Sequence, residues 1–319
     1  MAEIERLSRL TAGYYLAARA QTTRGSYSLT VRLFHSFLDD FNLNQYFLAD
    51  DSNECKGTTM VICYYASYLA QRLAFGSIRC YLSGIRAYVL DNTLGKLDIL
   101  ASYVIKQVLK GIKRSIGFRP KPKHPISLQN IKDIWSRLDF SKLSNIRNFT
   151  SYIVAFFGWL RRSELITLKW EDIDLSDNRF IRIKVAYSKT DQFGQGVWVH
   201  IARRDDQFCV GKWLTRWLAA SNNGSSWIFQ KMSGSRITKD KWSTNGLVSA
   251  IKKDILLIGL NPKHYAGHSF RRGGATAAAA AGVPERLIQL HGRWKSDCYK
   301  MYIEEPVKNL LVITALMVI

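Results

Sequence analysis

The chain has 319 residues, of which 47% are hydrophobic and 12% aromatic, so it can bury enough core for two ordinary domains and is not a disordered protein. Lysine and arginine together number 46 against 25 aspartate and glutamate residues, a formal net charge of +21. This excess predicts a positive field that attracts nucleic acid, with a merely solubilising surface as the alternative.

The five cysteines are odd in number and scattered, without a C-x-x-C pair, which argues against a disulfide framework and a zinc module. The first ten residues lack the apolar core of a signal peptide. The longest apolar run, 309–319, is shorter than the roughly 20 residues that span a bilayer. We therefore expect a soluble intracellular protein without membrane contact, nuclear if its source is eukaryotic.

A proline-rich and basic stretch, GFRPKPKHPI at 117–126, interrupts the helical patterns on either side of it. It predicts a linker over 119–126 between a helical domain at 1–118 and a second domain at 127–319. Lys121 and Lys123 in this electropositive strap are candidates for DNA contact. The alternative is an ordinary loop inside one domain.

The first half carries apolar residues at helical spacing over 24–42, 59–72 and 77–92, and predicts a bundle of four or five helices. Ser77 is the expected N-cap of the third segment. Within it Arg79 and Arg86 lie a heptad apart with Ser83 between them, which suits contact with a phosphate backbone. A solvated charged face explains the same pattern equally well.

The second half predicts helices around a small antiparallel sheet. One helix should begin behind Ser127, and a long, mostly buried helix should cover 145–170 and turn amphipathic at Arg161. Alternating stretches at 179–188 and 196–202 indicate a hairpin, and helical patterns return at 206–221 and 244–260. The expected fold class is mainly α with a small antiparallel β-sheet.

Two arginines each have a polar partner three residues away. In GWLRRSEL, Glu164 can orient the guanidinium of Arg161, and because Arg161 ends an apolar run it should lie near the interior, where a charge needs a partner. In GHSFRRGGA, His268 and Arg271 open a predicted helix, whose N-terminus favours an anion. A surface ion pair and a capping histidine are the structural alternatives, but together the clusters predict a phosphate site.

Five motifs in one order, LRRSEL, YSKTDQFGQG, HSFRRGG, GRW and YI, resemble the signature of the tyrosine recombinase (phage integrase) family, whose members cut and rejoin DNA. The run from HSFRRGGAT to YI is most similar to recombinases of DIRS-like retrotransposons and Cryptons. The resemblance is close in the second half and only general in the first. It implies an N-terminal SAM-like core-binding domain that contacts DNA and a C-terminal α+β catalytic domain.

The resemblance implies six chemical positions, namely Arg161, Lys189, His268, Arg271, Trp294 and Tyr302. The arginines would clamp the phosphate, Lys189 would protonate the leaving oxygen, and Tyr302 would be the nucleophile, with Glu164 supporting Arg161. Only seven residues separate Trp294 from Tyr302, one fewer than in many bacterial members. Tyr299 is therefore a rival nucleophile, and Lys184 is a rival to Lys189.

The expected reaction needs positive charge and no cofactor. A phenol has a pKa near 10, so a tyrosine nucleophile requires cationic groups that help its proton leave. Its product would be a 3′-phosphotyrosyl link, which conserves the bond energy for religation. The sequence shows no clustered carboxylate site of the kind that two-metal nucleases use, so no metal is expected.

The apolar segment 307–319 follows Pro306 and should bury itself. The family resemblance implies a helix that docks on a neighbouring protomer, giving a dimer to tetramer on double-stranded DNA. Packing on its own domain is the alternative.

Three further functions fit parts of the sequence. The segment 276–292 mimics a helix-turn-helix, but Leu287, Ile288 and Leu290 suit a core better than base edges. An inactive recombinase that only binds DNA would keep the same motifs. A type IB topoisomerase would share the same chemistry.

Overall fold

The computed structural model describes residues 1–48, 56–118, 123–186, 196–221 and 224–303. Lys121, Lys189 and the segment 307–319 lie outside the described residues, so the predictions that concern them stay predictions. The chain divides into two compact units, 1–121 and 122–319. Within the described ranges, no helix combines the length and the apolar character needed to cross a bilayer.

The first unit is built from helices packed around an aromatic core. Its α-helices are α1 (Ala2–Ala17), α2 (Gln21–Asp40), α3 (Lys56–Ala70), α4 (Phe75–Asn92) and α5 (Tyr103–Ile116). Phe34 on α2 meets Tyr65 on α3 edge-to-face, with ring centres 4.9 Å apart. Helices α2 and α4 approach closely at Gly84, where an added Cβ would lie 2.0 Å from Thr30 Oγ1.

Helix α4 begins earlier than predicted. Ser77 is not its N-cap, because the helix starts at Phe75 and the carbonyl of Ala74 already accepts from the Ser77 amide at 2.9 Å. The Phe75 side chain is buried, so its packing sets the start of the helix where the sequence offers a serine two residues later.

The second unit contains helices, a three-stranded sheet and a separate hairpin. Its helices are α6 (Leu128–Arg137), α7 (Leu143–Phe157), α8 (Arg162–Ile166), α9 (Val210–Ser221), α10 (Thr244–Leu257), α11 (Ser269–Ala280) and α12 (Glu285–His291). Its strands are β1 (Ile173–Asp174), β2 (Phe180–Val185), β3 (Val197–Ala202), β4 (Gln230–Ser233) and β5 (Arg236–Lys241). This architecture confirms the predicted fold class.

The sheet order is β1-β2-β3, entirely antiparallel, with Ile183 opposite Val199. The alternating residues of the sequence predict the β2–β3 hairpin. They do not predict the β4–β5 hairpin, because its strands are largely exposed and therefore lack an apolar face. Ser127 caps α6 as predicted, since its hydroxyl accepts from the Asn130 amide at 3.0 Å while the Asn130 side chain accepts from the Ser127 amide.

The prediction of one long helix over 145–170 is wrong. Helix α7 ends at Phe157, and Trp159 takes the left-handed conformation at φ 46°. The amide of Leu160 donates back to the carbonyl of Ala155 at 3.1 Å, which is the bond of a Schellman turn. The chain then restarts as α8 at Arg162, so Arg161 caps a new helix instead of continuing the old one.

Residues 123–126 of the predicted linker pack on the second unit. The amide of His124 donates to the carbonyl of His264 at 2.8 Å, and that of Ile126 to the carbonyl of Ser269 at 3.0 Å. Ile126 is fully buried, and a Cβ added to Gly273 of α11 would lie 1.8 Å from its carbonyl oxygen. Glycine at 273 therefore lets α11 lie directly against this strap.

Candidate active site

Arg161 and Glu164 form a buried ion pair at the start of α8. The Nη1 of Arg161 donates to Glu164 Oε1 at 2.5 Å, and its backbone amide donates to Oε2 at 2.9 Å. The two side chains are 12% and 2% exposed. The structure therefore places Glu164 where it holds both the side chain and the main chain of Arg161.

Arg271 lies at the centre of the site and is fully buried on α11. Its Nη1 donates to the carbonyl of Trp159 at 2.7 Å, and its Nη2 donates to the carbonyl of Gly292. Its Nε is buried without a hydrogen-bond partner among the described residues. Burial, together with the positive charges of Arg161 and others nearby, lowers the pKa of Arg271 to about 9. An anion beside it would stabilise its charged form.

His268 is the N-cap residue of α11, as the sequence predicted for the start of that helix. His268 is exposed to solvent. Partial burial and then the positive charges of Arg162, Arg271 and Arg161 lower the pKa of His268. The segments that carry the two predicted clusters lie against each other, since a Cβ added to Gly267 would lie 2.8 Å from the Arg162 side chain.

Trp294 packs between the arginine and the tyrosines. The guanidinium carbon of Arg271 lies 4.4 Å from the centre of the Trp294 ring and 5.7 Å from that of Tyr302. Trp294 Nε1 is buried and has no hydrogen-bond partner among the described residues. An unpaired buried donor costs about 1–3 kcal/mol, so this N–H marks a place where a ligand oxygen would be stabilised.

The two rival tyrosines have different surroundings. Tyr299 is buried, and its hydroxyl donates to Glu285 Oε2 at 2.5 Å, which raises the pKa of Tyr299 to about 12. Tyr302 is half-buried, and its ring centre lies 5.1 Å from that of Trp294. The carbonyl of Tyr302 accepts from Thr276 Oγ1 at 3.2 Å, which ties the tyrosine segment to α11. Tyr302 therefore faces the arginine, while Tyr299 is engaged by a carboxylate.

Lys184 lies on β2, five residues before Lys189 in the sequence. Together with Glu164 it lines a cavity of about 610 Å³. A Cβ added to Gly196, which directly precedes β3, would lie 3.3 Å from Lys184 Cε. The choice between Lys184 and Lys189 stays open, because Lys189 is outside the described residues.

The candidates for DNA contact in the first unit separate from one another. Arg79 and Ser83 line a groove of about 340 Å³ together with Lys106, Lys110 and Lys113. Arg86 instead donates twice to Asp98, at 2.7 and 2.6 Å. The α5 lysines were not predicted from the sequence, although their spacing of four and three residues places them on one helix face.

Two further predictions concern exposed parts of the second unit. Lys123 is exposed and its Nζ donates to the carbonyl of Lys263 at 2.6 Å. The prediction that Leu287 and Leu290 suit a core is wrong, because they are 43% and 69% exposed, whereas Ile288 is buried as expected. Helix α12 is only seven residues long and packs on one side, so most of its surface faces solvent.

Three residues of the site were not found from the sequence. The carbonyl of Trp159 accepts from Arg271, and His291 Nε2 lies 2.8 Å from the carbonyl of Phe157. Arg293 Nη2 donates to Glu164 Oε2 at 2.8 Å. These contacts run between segments far apart in the chain, so no local pattern marks them. Within the described ranges, no three His, Cys, Asp or Glu side chains are grouped as metal ligands.

The chain is similar to a known protein family and to a curated protein. Residues 126–302 match the model of the phage integrase family. Over 205 residues the chain is 29% identical to the integrase/recombinase xerD homolog of Selenomonas ruminantium, covering 63% of this chain and 60% of that protein. The chain thus spans about 60% of the length of this curated relative.

Solved structures with a similar fold include three DNA complexes. XerH site-specific recombinase bound to palindromic difH substrate, a post-cleavage complex, has a TM-score of 0.64 at 18% identity, covering 92% of this chain and 79% of that one. A lambda integrase dimer bound to a COC' core site has a TM-score of 0.61 at 15% identity, and the match covers 94% of this chain and 94% of that one. The Tn1549 transposon integrase in complex with circular intermediate DNA has a TM-score of 0.54 at 14% identity, and the match covers 92% of this chain and 98% of that one. At these identities the likeness concerns the fold.

Proposed function

Because the chain belongs to the phage integrase family, we propose that it is an active tyrosine recombinase that cuts and rejoins double-stranded DNA through a 3′-phosphotyrosyl intermediate. One observation carries the proposal. The guanidinium carbon of Arg271 lies 4.4 and 5.7 Å from the ring centres of Trp294 and Tyr302. The positive charge of Arg161 contributes to the lowered pKa of Arg271. Groups from separate chain segments thus come together around Arg271, which supports a phosphate site there.

The site supplies the charge that the reaction needs. In the proposed step the Tyr302 oxygen attacks the scissile phosphorus, a P–O bond to the tyrosine forms, and the bond to the 5′-oxygen breaks. Negative charge grows on the non-bridging oxygens, which Arg161 and Arg271 would hold through their remaining N–H groups. Trp294 Nε1 would donate to one of the same oxygens and so gain the partner that it lacks among the described residues.

The two protons need separate routes. The lowered pKa of His268 favours the neutral imidazole at pH 7, which can accept the phenolic proton of Tyr302. The 5′-oxygen requires a proton, and a lysine of the β2–β3 hairpin, Lys189 or its rival Lys184, would donate it. The product carries a 3′-phosphotyrosyl bond and a free 5′-hydroxyl, and reversal of the step rejoins the strand without a cofactor.

The biological role that we propose is integration or excision of a mobile element. Two observations support it: the resemblance of the HSFRRGGAT-to-YI region to DIRS-like and Crypton recombinases, and the similarity of the fold to a transposon integrase. We further propose that the domain predicted at 1–118 binds DNA and that the segment 307–319 links protomers into a dimer or tetramer. The lambda integrase structure of similar fold is a dimer on DNA.

The test is trapping of the covalent intermediate. A pool of nicked duplexes with randomised sequence is incubated with the full chain, and protein-linked DNA that survives SDS is recovered and sequenced. The nick lets the short product strand diffuse away, so the adduct accumulates. We expect wild-type adducts that share a sequence, and the same duplexes then serve for all variants.

Matched tyrosine variants assign the nucleophile. Tyr302→Phe should abolish the adduct, whereas Tyr299→Phe should retain it, because the Tyr299 hydroxyl donates to Glu285. No adduct from the wild-type chain would contradict the enzymatic proposal and favour a DNA-binding protein. Efficient relaxation of supercoiled plasmid without a selected site would instead indicate a type IB topoisomerase.

A further inference from the structure

Arg293 occupies a backbone position that ordinarily favours glycine. It lies between Gly292 and Trp294 with φ 59°, in the left-handed region that side chains with a Cβ rarely adopt. The amide of Trp294 donates to the carbonyl of Gln289 at 3.1 Å, so the turn itself is well formed. A glycine would adopt this backbone conformation with less strain, so the arginine at this position is explained by its side-chain contacts.

The guanidinium of Arg293 is directed into the protein. Its Nη2 donates to Glu164 Oε2 at 2.8 Å and to the carbonyl of Trp159 at 3.2 Å. Its Nη1 donates to the carbonyl of Gly158 at 3.3 Å. The side chain is only 6% exposed. A group with so little exposure and inward bonds is badly placed to bind DNA itself.

Glu164 and the Trp159 carbonyl, which Arg293 contacts, also hold the two arginines of the proposed phosphate clamp. Glu164 shares its two carboxylate oxygens between Arg161 and Arg293. The carbonyl of Trp159 accepts from both Arg271 and Arg293. The Arg293 side chain therefore holds both Glu164, the partner of Arg161, and the Trp159 carbonyl, the partner of Arg271.

We propose that Arg293 is a positioning residue that sets the orientation of Arg161 and Arg271 through Glu164 and the Trp159 carbonyl. This inference rests on the proposed function. Without Arg293, Glu164 Oε2 loses its only side-chain donor in the described site, and the carboxylate can rotate away from Arg161. Because Arg161 would act on the transition state, a small change in its direction should affect the cleavage rate more than the affinity for DNA.

The test compares two substitutions of Arg293 in the full chain on a trapped duplex. Arg293→Gly suits the left-handed backbone but removes every side-chain bond, whereas Arg293→Lys keeps one cation that can reach Glu164. At saturating DNA, we expect the single-turnover rate of adduct formation to fall roughly 10- to 100-fold in Arg293→Gly. Arg293→Lys should lie between Arg293→Gly and wild type, and the Kd for the duplex should change less than about twofold in both.

Two controls separate positioning from a general loss of structure. Arg216→Ala removes an exposed arginine of α9 and should leave the rate unchanged. Adding guanidinium at a non-denaturing concentration should restore part of the rate of Arg293→Gly, because the substitution leaves a space of that shape. It should not raise the rates of Arg216→Ala or wild type.

A double-mutant cycle with Glu164→Gln identifies the route. Because Arg293 acts in part through Glu164, the loss in the double variant should be smaller than the sum of the two single losses in activation free energy, and the remainder reports the route through the Trp159 carbonyl. Additive losses, an unchanged rate in Arg293→Gly, or a loss of DNA affinity with a normal rate at saturation would each overturn the inference. An absent wild-type adduct would instead contradict the proposed function, so the two failures are distinguishable.

Discussion

Two arginine–carboxylate pairs, one in each unit, have similar bonds but very different surroundings. In the first unit Arg86 and Asp98 make two hydrogen bonds on the surface, with side chains 44% and 33% exposed. In the second unit Arg161 and Glu164 are almost fully buried. The exposed pair is screened by water, whereas the buried pair keeps its electrostatic strength.

The difference shows what a carboxylate partner does to an arginine. At the surface Asp98 engages two nitrogens of the Arg86 guanidinium and leaves it less able to bind phosphate. In the interior Glu164 is itself held by Arg293, and it fixes one Nη of Arg161 while further N–H groups remain. Asp98 therefore mainly neutralises Arg86, whereas Glu164, which is buried and held by Arg293, orients Arg161.

The largest expected effect is on the buried carboxylate. Glu164→Gln should lower the free energy of unfolding by about 3–5 kcal/mol, because it leaves buried guanidinium groups without their counter-charge. Asp98→Asn should lower it by about 1 kcal/mol or less, as is usual for exposed pairs. Urea unfolding of both variants measures the two values, and equal losses would refute the comparison.

Gly273 of the second unit and Gly111 of the first should respond to alanine with opposite signs. Gly273→Ala places a Cβ against the Ile126 carbonyl oxygen and should destabilise the second unit by about 3 kcal/mol. Gly111 in α5 is exposed with nothing within 4 Å of an added Cβ, so Gly111→Ala should stabilise by about 0.5–1 kcal/mol. Thermal melts of each variant give the sign, and a destabilised Gly111→Ala would contradict this account of α5.

The site in the second unit should respond to pH, unlike the exposed arginines of the first. The pKa of His268 lies below its usual value of 6.5, so the neutral base is present above that pH and is lost as pH falls through the lowered pKa. The kcat/KM for adduct formation should be flat from about pH 7 to 8 and fall about tenfold per unit well below the pKa of the free enzyme. His268→Asn should be slow throughout and lack this acid limb.

The smallest expected effect concerns DNA affinity in the first unit. For a random duplex, the binding constant falls as salt rises, and Arg79→Ala should make the slope of log K against log salt shallower by the amount expected for the loss of about one phosphate contact. Arg86→Ala should change the slope much less, because Asp98 already engages its guanidinium. Fluorescence anisotropy at several salt concentrations distinguishes the two, and an equal change would show that the Asp98 pair opens on DNA.

The sequence predicted elements well where periodic burial has a single cause. The β2–β3 hairpin alternates because one face is covered, and α6 begins behind Ser127 because a hydroxyl caps it. The prediction failed at 145–170, where the apolar pattern continues through the turn at Trp159 and hides the end of α7. It also missed β4–β5, whose exposed faces carry no pattern.

A phosphate site was expected from residue types and their spacing, because Arg161 with Glu164 and His268 with Arg271 each lie three residues apart, whereas the roles of Lys189, Trp294 and Tyr302 were implied by the family resemblance. Such short separations leave little freedom for the chain. The contacts of Arg293, Trp159 and Tyr299 depended instead on how segments distant in sequence pack together. Arg293 donates to the Trp159 carbonyl at the turn after α7, on which Gly274 of α11 packs, and Tyr299 donates to Glu285 at the start of α12. Only tertiary packing chooses which polar groups are buried together, because that choice depends on the burial of the entire unit.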